Sequence, residues 1–307
     1  MKLNLSEIDC IFLSYDEPNA DKNWADLLNK APWAKRVHGV KGSDAAHKAC
    51  ANLSETEHFI TVDADNIVDA EFFNLTIDTD KLPKQDQTQL SWAGRNTING
   101  LVYGNGGLKC WTKTFVLNMR THEDADSNTN QVDFCWQDNY VQMADCYSTV
   151  HNNSSSLQAW RAGFREGVKM TLNRGLRQEL LHPKRQLGDR NYRRLIMWCS
   201  VGQDVTNGIW AIQGARLGCY MTNCTDWDYV QVRDFDYLTE YFNNNIANMT
   251  QDMLQSSSVN LGNDLRSKLN LSVADLDATQ SKFFKEVWIN PPRTKTALTE
   301  REVTWDL

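Results

Sequence analysis

No apolar run in the chain approaches the ~18–20 residues that a membrane helix needs. The opening MKLNLSEIDC also lacks the basic region and apolar block of a leader peptide. No membrane partner is expected. The eight cysteines include no CxxC pair, which excludes a zinc ribbon and a thioredoxin-type motif. Cys10 and Cys50 sit in apolar runs and read as small buried hydrophobes, so a reducing, cytoplasmic compartment fits. Sequons such as Asn52-Leu53-Ser54 then carry no meaning. Internal repeats and low-complexity tracts are missing. The Gly104–Gly107 run lacks the following Gly-Lys-Ser of a phosphate loop. A positive net charge is missing as well: the formal value is -7, which alone argues against nucleic acid.

What is present is apolar mass and one charge asymmetry. A hydrophobic content of 41% with 11 Trp, 11 Phe and 9 Tyr fills a sizeable core and excludes general disorder. Residues 161–194 hold Arg161, Arg165, Lys169, Arg174, Arg177, Lys184, Arg185, Arg190, Arg193 and Arg194 against three acids. Trp160, Phe164 and Tyr192 are interleaved with them. On a helix, 161, 165 and 169 lie one turn apart on one face, a stripe suited to phosphates. A solvated helical face paired with the acidic body is the plainer alternative.

The first 75 residues alternate strand and helix. Residues 9–15, 35–40 and 58–62 are short apolar runs of strand length. Residues 19–30, with Asn19 as candidate cap, and 43–53 have helical spacing. A βαβαβ opening implies a parallel sheet that binds ligands at the carboxyl ends of its strands. Tyr15-Asp16 and Asp63-Ala64-Asp65 both lie there. From 87 to 111 short strands broken by Asn99-Gly100 and Gly104–Gly107 suggest a hairpin or tight loop in a mixed sheet. Residues 132–143 read as a helix, 145–150 as a strand and 155–172 as a helix, with further helices beyond.

Six Asp-x-Asp pairs occur, at 63/65, 78/80, 124/126, 226/228, 234/236 and 275/277. Two carboxylates can hold a hard divalent cation against diphosphate oxygens, and the cation then acts as Lewis acid. Most of the six must be ordinary turn or surface acids. Only Asp63/Asp65 ends an apolar strand that closes a βαβαβ unit, where the turning chain lets both side chains converge.

Leu13-Ser14-Tyr15-Asp16 and the runs 40–52 and 59–66 resemble the three donor-binding segments of GT-A fold glycosyltransferases. Runs 92–111 and 151–165 resemble a narrower group, transferases of tailed bacteriophages that decorate hydroxymethylated pyrimidines in phage DNA. The resemblance implies an α/β GT-A core over 1–155, a Rossmann-like mixed sheet flanked by helices. A mainly helical, partly basic acceptor-binding region over 156–307 packs on it. It implies a UDP-sugar donor and Mn²⁺ or Mg²⁺. Asp65 would contact the metal most directly, Asp63 would reach the ribose or a water on the metal, and His151 would be a further ligand. Tyr15 and Asp16 would meet the nucleobase with Ser14 also in the donor site, Asp44 the ribose unless it is only a helix cap, and Gly106 and Gly107 the donor sugar or the acceptor. Asp133 would be the general base of an inverting transfer, although a retaining course would need none. Arg161, Arg165, Lys169, Arg174, Arg177, Lys184 and Arg185 would carry duplex DNA bearing 5-hydroxymethylcytosine or 5-hydroxymethyluracil. Two other readings stay open: a GT-A enzyme acting on a polysaccharide, lipid-linked glycan or protein, and a nucleic-acid-binding protein on a degenerate scaffold.

Overall fold

A computed structural model describes residues 2–82, 89–119, 121 and 140–287. The chain is a mixed α/β protein: a sheet flanked by helices, followed by a helical C-terminal region.

Strand β1 (Lys2–Asn4) makes a small ribbon with β6 (Thr76–Asp78). The main sheet contains β2 (Asp9–Ser14), β3 (Lys35–His38), β4 (His58–Asp63), β5 (Asn66–Val68), β7 (Gln89–Asn96), β8 (Val102–Thr112) and β9 (Tyr140–Val150). Their spatial order is β3-β2-β4-β8-β7-β9-β5. Strands β3, β2 and β4 are parallel, β8 runs against both β4 and β7, and β9 runs with β7. The strands β3, β2, β4, β7 and β9 therefore end at one common edge. Central β2 and β4 are apolar along their length because both faces are covered. One face packs on α1 (Ala20–Lys30) through Phe12, Leu27, Val62 and Trp92; the other packs on α2 (Ser43–Leu53) and α3 (Lys113–Asn118) through Ile11, Cys50, Phe59 and Trp111.

The helical region comprises α4 (Ser156–Met170), α5 (Pro183–Leu187), α6 (Asp189–Trp198), α7 (Gly208–Cys224), α8 (Phe235–Asn245), α9 (Gln251–Leu269) and α10 (Ala278–Val287). Its axis is the pair α4–α7, which touches backbone to backbone. A Cβ on Gly163 or Gly167 would lie 2.0 or 2.1 Å from the carbonyl oxygen of Ala211 or Ala215. A Cβ on Gly214 or Gly218 would lie 2.3 Å from that of Trp160 or Phe164. Arg216, 2% exposed, donates to the carbonyls of Cys199, Ser258 and Ala274 and pairs with Asp275 at 2.6 Å, tying α7 to α9 and the segment beyond. The β7–β8 hairpin joins the two regions: Ile98 and Leu101 enter the helical core, and Tyr103 donates to Glu166 of α4 at 2.6 Å. The Asn96 and Asn99 side chains accept the hairpin's backbone N–H groups, which lets so polar a turn be buried.

Several expectations change. Residues 140–143, expected to end a helix, begin the strand β9, which runs without interruption into the expected strand at 145–150. The Gly104–Gly107 run does not divide two strands; it is a bulge inside β8, whose partner register jumps from Leu108 to Tyr103 while β7 advances from Trp92 to Gly94. The Asn19 side chain caps nothing and donates instead to the His151 carbonyl at 3.0 Å. The second expected strand, 35–40, stops at His38. Among the described residues no helix is long and apolar enough to cross a membrane.

Candidate active site

The common edge collects polar groups from five strands. Strand β4 ends in Asp63, the chain turns through Ala64-Asp65, and Asn66 opens β5. This turn is held from three sides. The Asn23 amide of α1 donates to the Ala64 carbonyl at 2.8 Å, the His151 backbone N–H to the Asp65 carbonyl at 2.6 Å, and the Asn66 amide to Asp65 Oδ1 at 2.8 Å. Its shape is thus fixed before any ligand arrives.

The β8 bulge completes the pocket. Gly107 has φ +67°, and a Cβ there would lie 2.5 Å from Asp63 Oδ2 and 2.7 Å from Asn66 Nδ2. Only glycine suits both that backbone and that neighbour. Asp63 Oδ1 and Asn66 Oδ1 are buried and accept no hydrogen bond. Glu17, placed by the turn after β2, accepts from the Tyr15 N–H at 2.8 Å. Burial first, then the charges of Asp63 and Glu17, push the Asp65 carboxyl up to about 7 against the opposing Asn66 and Lys109. Burial likewise raises Glu17, helped by Asp63 and Asp16. A half-buried group of carboxylates with an unmet oxygen is costly unless a cation or protons join it.

The other expected residues divide. The Tyr15 ring is 46% exposed at the strand end, and Asp16 beside it is exposed. Ser14 is buried, its hydroxyl accepting from Arg36 and bonded to His38 Nδ1 at 3.0 Å, so it serves the β2–β3 seam. Asp44 opens α2 and pairs with Lys48 at 2.7 Å. Gly106 lies in the bulge next to Gly107. His151 joins Asp65 through its backbone, while burial and then nearby Lys22 hold its ring below the ordinary histidine value. Among the described residues no three His, Cys, Asp or Glu side chains form a metal-binding group. Asp133 lies outside the described residues.

The rival Asp-x-Asp pairs have local duties. Asp78, Asp228, Asp234 and Asp277 accept backbone N–H groups at helix starts or turns, and Asp275 pairs with Arg216 and Arg266. The pair at 124/126 lies outside the described residues.

The basic stripe of α4 does not face solvent as one strip. Arg161 and Arg165 lie over the Phe235 ring at 4.7 and 4.6 Å. Arg161 also feels Asp16, Glu17 and Asp65, so it borders the carboxylate pocket. Lys169 is 10% exposed and pairs with Glu166 at 2.5 Å. Arg177 donates to the Trp227 carbonyl and covers the Tyr229 ring, and Lys184 pairs with Asp189 at 3.1 Å. Arg174, at φ +50°, and Arg185 are exposed. Sequence reasoning missed Glu17, Asn66, Lys109 and Phe235 as neighbours of the pocket. Adjacency to the motif marks Glu17 and Asn66; nothing local marks Lys109 or Phe235.

No family model matches the chain, and no curated protein matches it at a significant level. A solved structure described as a glycosyltransferase involved in the glycosylation of the major capsid of PBCV-1 is similar over 48% of this chain and 94% of that one. The identity is 12% and the TM-score 0.28. A likeness that slight fixes no chemistry.

Proposed function

We propose that the chain is a cation-assisted glycosyltransferase whose donor is a UDP-sugar and whose acceptor is a hydroxymethylated pyrimidine in duplex DNA. The observation that carries the donor half is Asp63. Its buried, unmet oxygen stands beside Asp65 at the carboxyl edge of a sheet whose bulge keeps a glycine there.

The donor set fits a hard divalent cation: Asp63 and Asp65 would hold it through oxygen, and Mn²⁺ or Mg²⁺ suits such ligands. When bound, the cation neutralises the charge that grows on the diphosphate. The pre-formed turn fixes the backbone that carries both carboxylates, and Tyr15 offers an exposed ring for the nucleobase. In the transfer the acceptor hydroxyl oxygen forms a bond to the anomeric carbon. The anomeric carbon–diphosphate bond breaks, its electron pair leaves with the nucleoside diphosphate, and the hydroxyl proton passes to a base. Asp133 is the proposed base.

The acceptor half rests on the resemblance of runs 92–111 and 151–165 and on the exposed cations Arg174, Arg177, Lys184 and Arg185. A test is mass spectrometry of nucleosides from hydroxymethylcytosine or hydroxymethyluracil duplexes incubated with protein, Mn²⁺ and pooled UDP-sugars. A nucleoside heavier by one sugar, lost with chelator, supports the reading. No transfer to either duplex at low salt, where phosphate contacts are strongest, removes the DNA acceptor. Failure to hydrolyse any UDP-sugar as well removes the donor.

A further inference from the structure

Arg161 is an unusual arginine. It is half-buried on α4, yet it makes no hydrogen bond or ion pair with any described residue. Its guanidinium carbon lies over the Phe235 ring at 4.7 Å, a contact that leaves its N–H donors without a partner among the described residues. One turn earlier on α4, Gln158 donates to Asn19 at 3.5 Å, which sets this end of the helix beside the turn after β2; the nearby acids are Asp16 and Glu17 of that turn and Asp65. Phe235 itself is held in place: Asp234 caps α8, and Asp236 reaches across to Lys41 at 2.6 Å on the sheet side, close to Tyr15. The start of α8 thus bridges the helical region and the strand end, with Arg161 beneath it.

Three explanations compete for such a residue. As a plain counter-ion for the carboxylates it would form ion pairs, and none is made. As a DNA-phosphate contact it would stand clear of the pocket with Arg174 and Arg185, and burial instead draws it in. The third remains. Resting on the donor reading above, we infer that Arg161, braced by Phe235, receives the donor's diphosphate from the side opposite the Asp63–Asp65 pair. Five planar N–H donors match phosphate oxygens two at a time, which a lysine cannot do. Carboxylates and guanidinium then complement each other: the former need a cation, the latter an anion, and a cation–diphosphate complex supplies both. Arg161 is a binding residue for the leaving group, not a general acid.

The test is a ladder of ligands read by calorimetry in Mn²⁺: uridine, UMP and UDP, with the other common nucleoside diphosphates alongside. Wild type, Arg161→Gln, Arg161→Lys and Phe235→Leu are compared, with thermal melts to establish folding. Wild type is expected to bind UDP at least tenfold more tightly than UMP. Arg161→Gln loses most of that step and leaves the uridine affinity unchanged. Arg161→Lys restores part of it, and Phe235→Leu falls between. A full UDP-over-UMP step in folded Arg161→Gln overturns the inference and leaves the donor reading intact. So does a loss of duplex-DNA affinity with the ladder unchanged, which would return Arg161 to the acceptor. If wild type binds no nucleoside diphosphate, the donor reading falls and this inference falls with it.

Discussion

The sheet edge and the α4–α7 pair use the same residue types to opposite ends. At the helix pair, glycine removes side chains so that two backbones meet, and the buried charge Arg216 is surrounded by three carbonyls and a carboxylate. Each guanidinium nitrogen of Arg216 has a partner. At the edge, glycine removes a side chain so that Asp63 can enter with one oxygen unmet, and burial raises the carboxyl of neighbouring Asp65. Around Arg216 the buried charge is met from within the chain. The edge is complete only with something added, which is how a stable scaffold carries a site that weakens it.

That contrast can be broken, beginning with the largest effect. Asp63→Asn and Asp65→Asn are each expected to lower sugar transfer by about two to three orders of magnitude, since each removes a proposed cation ligand. Asp65→Asn should at the same time raise stability by about 1–2 kcal/mol, because an amide carries no buried charge. Rates on the modified duplex together with chemical denaturation decide this, and a destabilised Asp65→Asn would show that the edge is not loaded.

Next comes Arg216→Met, which leaves three carbonyls unanswered and takes from Asp275 one of its two arginine partners, and should cost about 3–5 kcal/mol. A neutral result in urea titration would dissolve the contrast from the other side. Gly163→Ala or Gly214→Ala should cost about 1–3 kcal/mol, although alanine ordinarily strengthens a helix by about 1 kcal/mol. A gain in melting temperature would mean the helices can part freely.

The smallest effect is the sharpest discriminator. Asp65 and Glu17 have raised values in the folded chain, so their protonated forms favour folding. Stability of the cation-free protein should therefore be greatest near the ordinary acid range. For Asp65 it is lost as pH rises from 3.8 through about 7. Melts in chelator across that window should show the slope in wild type and a shallower one in Asp65→Asn. Equal slopes would remove Asp65 from the account.

Much of the sheet was legible because its strands are short apolar runs: strands 9–14 and 58–63, with the helix 43–53 between them, fall where periodicity puts them. The choice of Asp63/Asp65 over its rivals was legible for the same reason, since position after a buried strand differs physically from position at a helix start. Residues 140–143 were misread because Tyr, Val, Gln and Met suit a helix face as well as a strand, and only pairing with β7 decides. The arginine stripe failed differently. A period of four shows which residues share a face, but not what covers it, and Phe235 arrives from far along the chain. Asp234 and Asp236 looked like surface acids and are, yet the ring between them lies under Arg161 and Arg165.

The glycine seam has a reach beyond its own neighbourhood. Arg161 stands two residues before Gly163, on the same rigid rod whose other side is seated against Ala211. Shifting that rod by the width of one methyl group would carry the guanidinium away from the acids across the cleft. Inactivating lesions should therefore turn up on α7, in residues that never meet sugar, nucleotide or DNA.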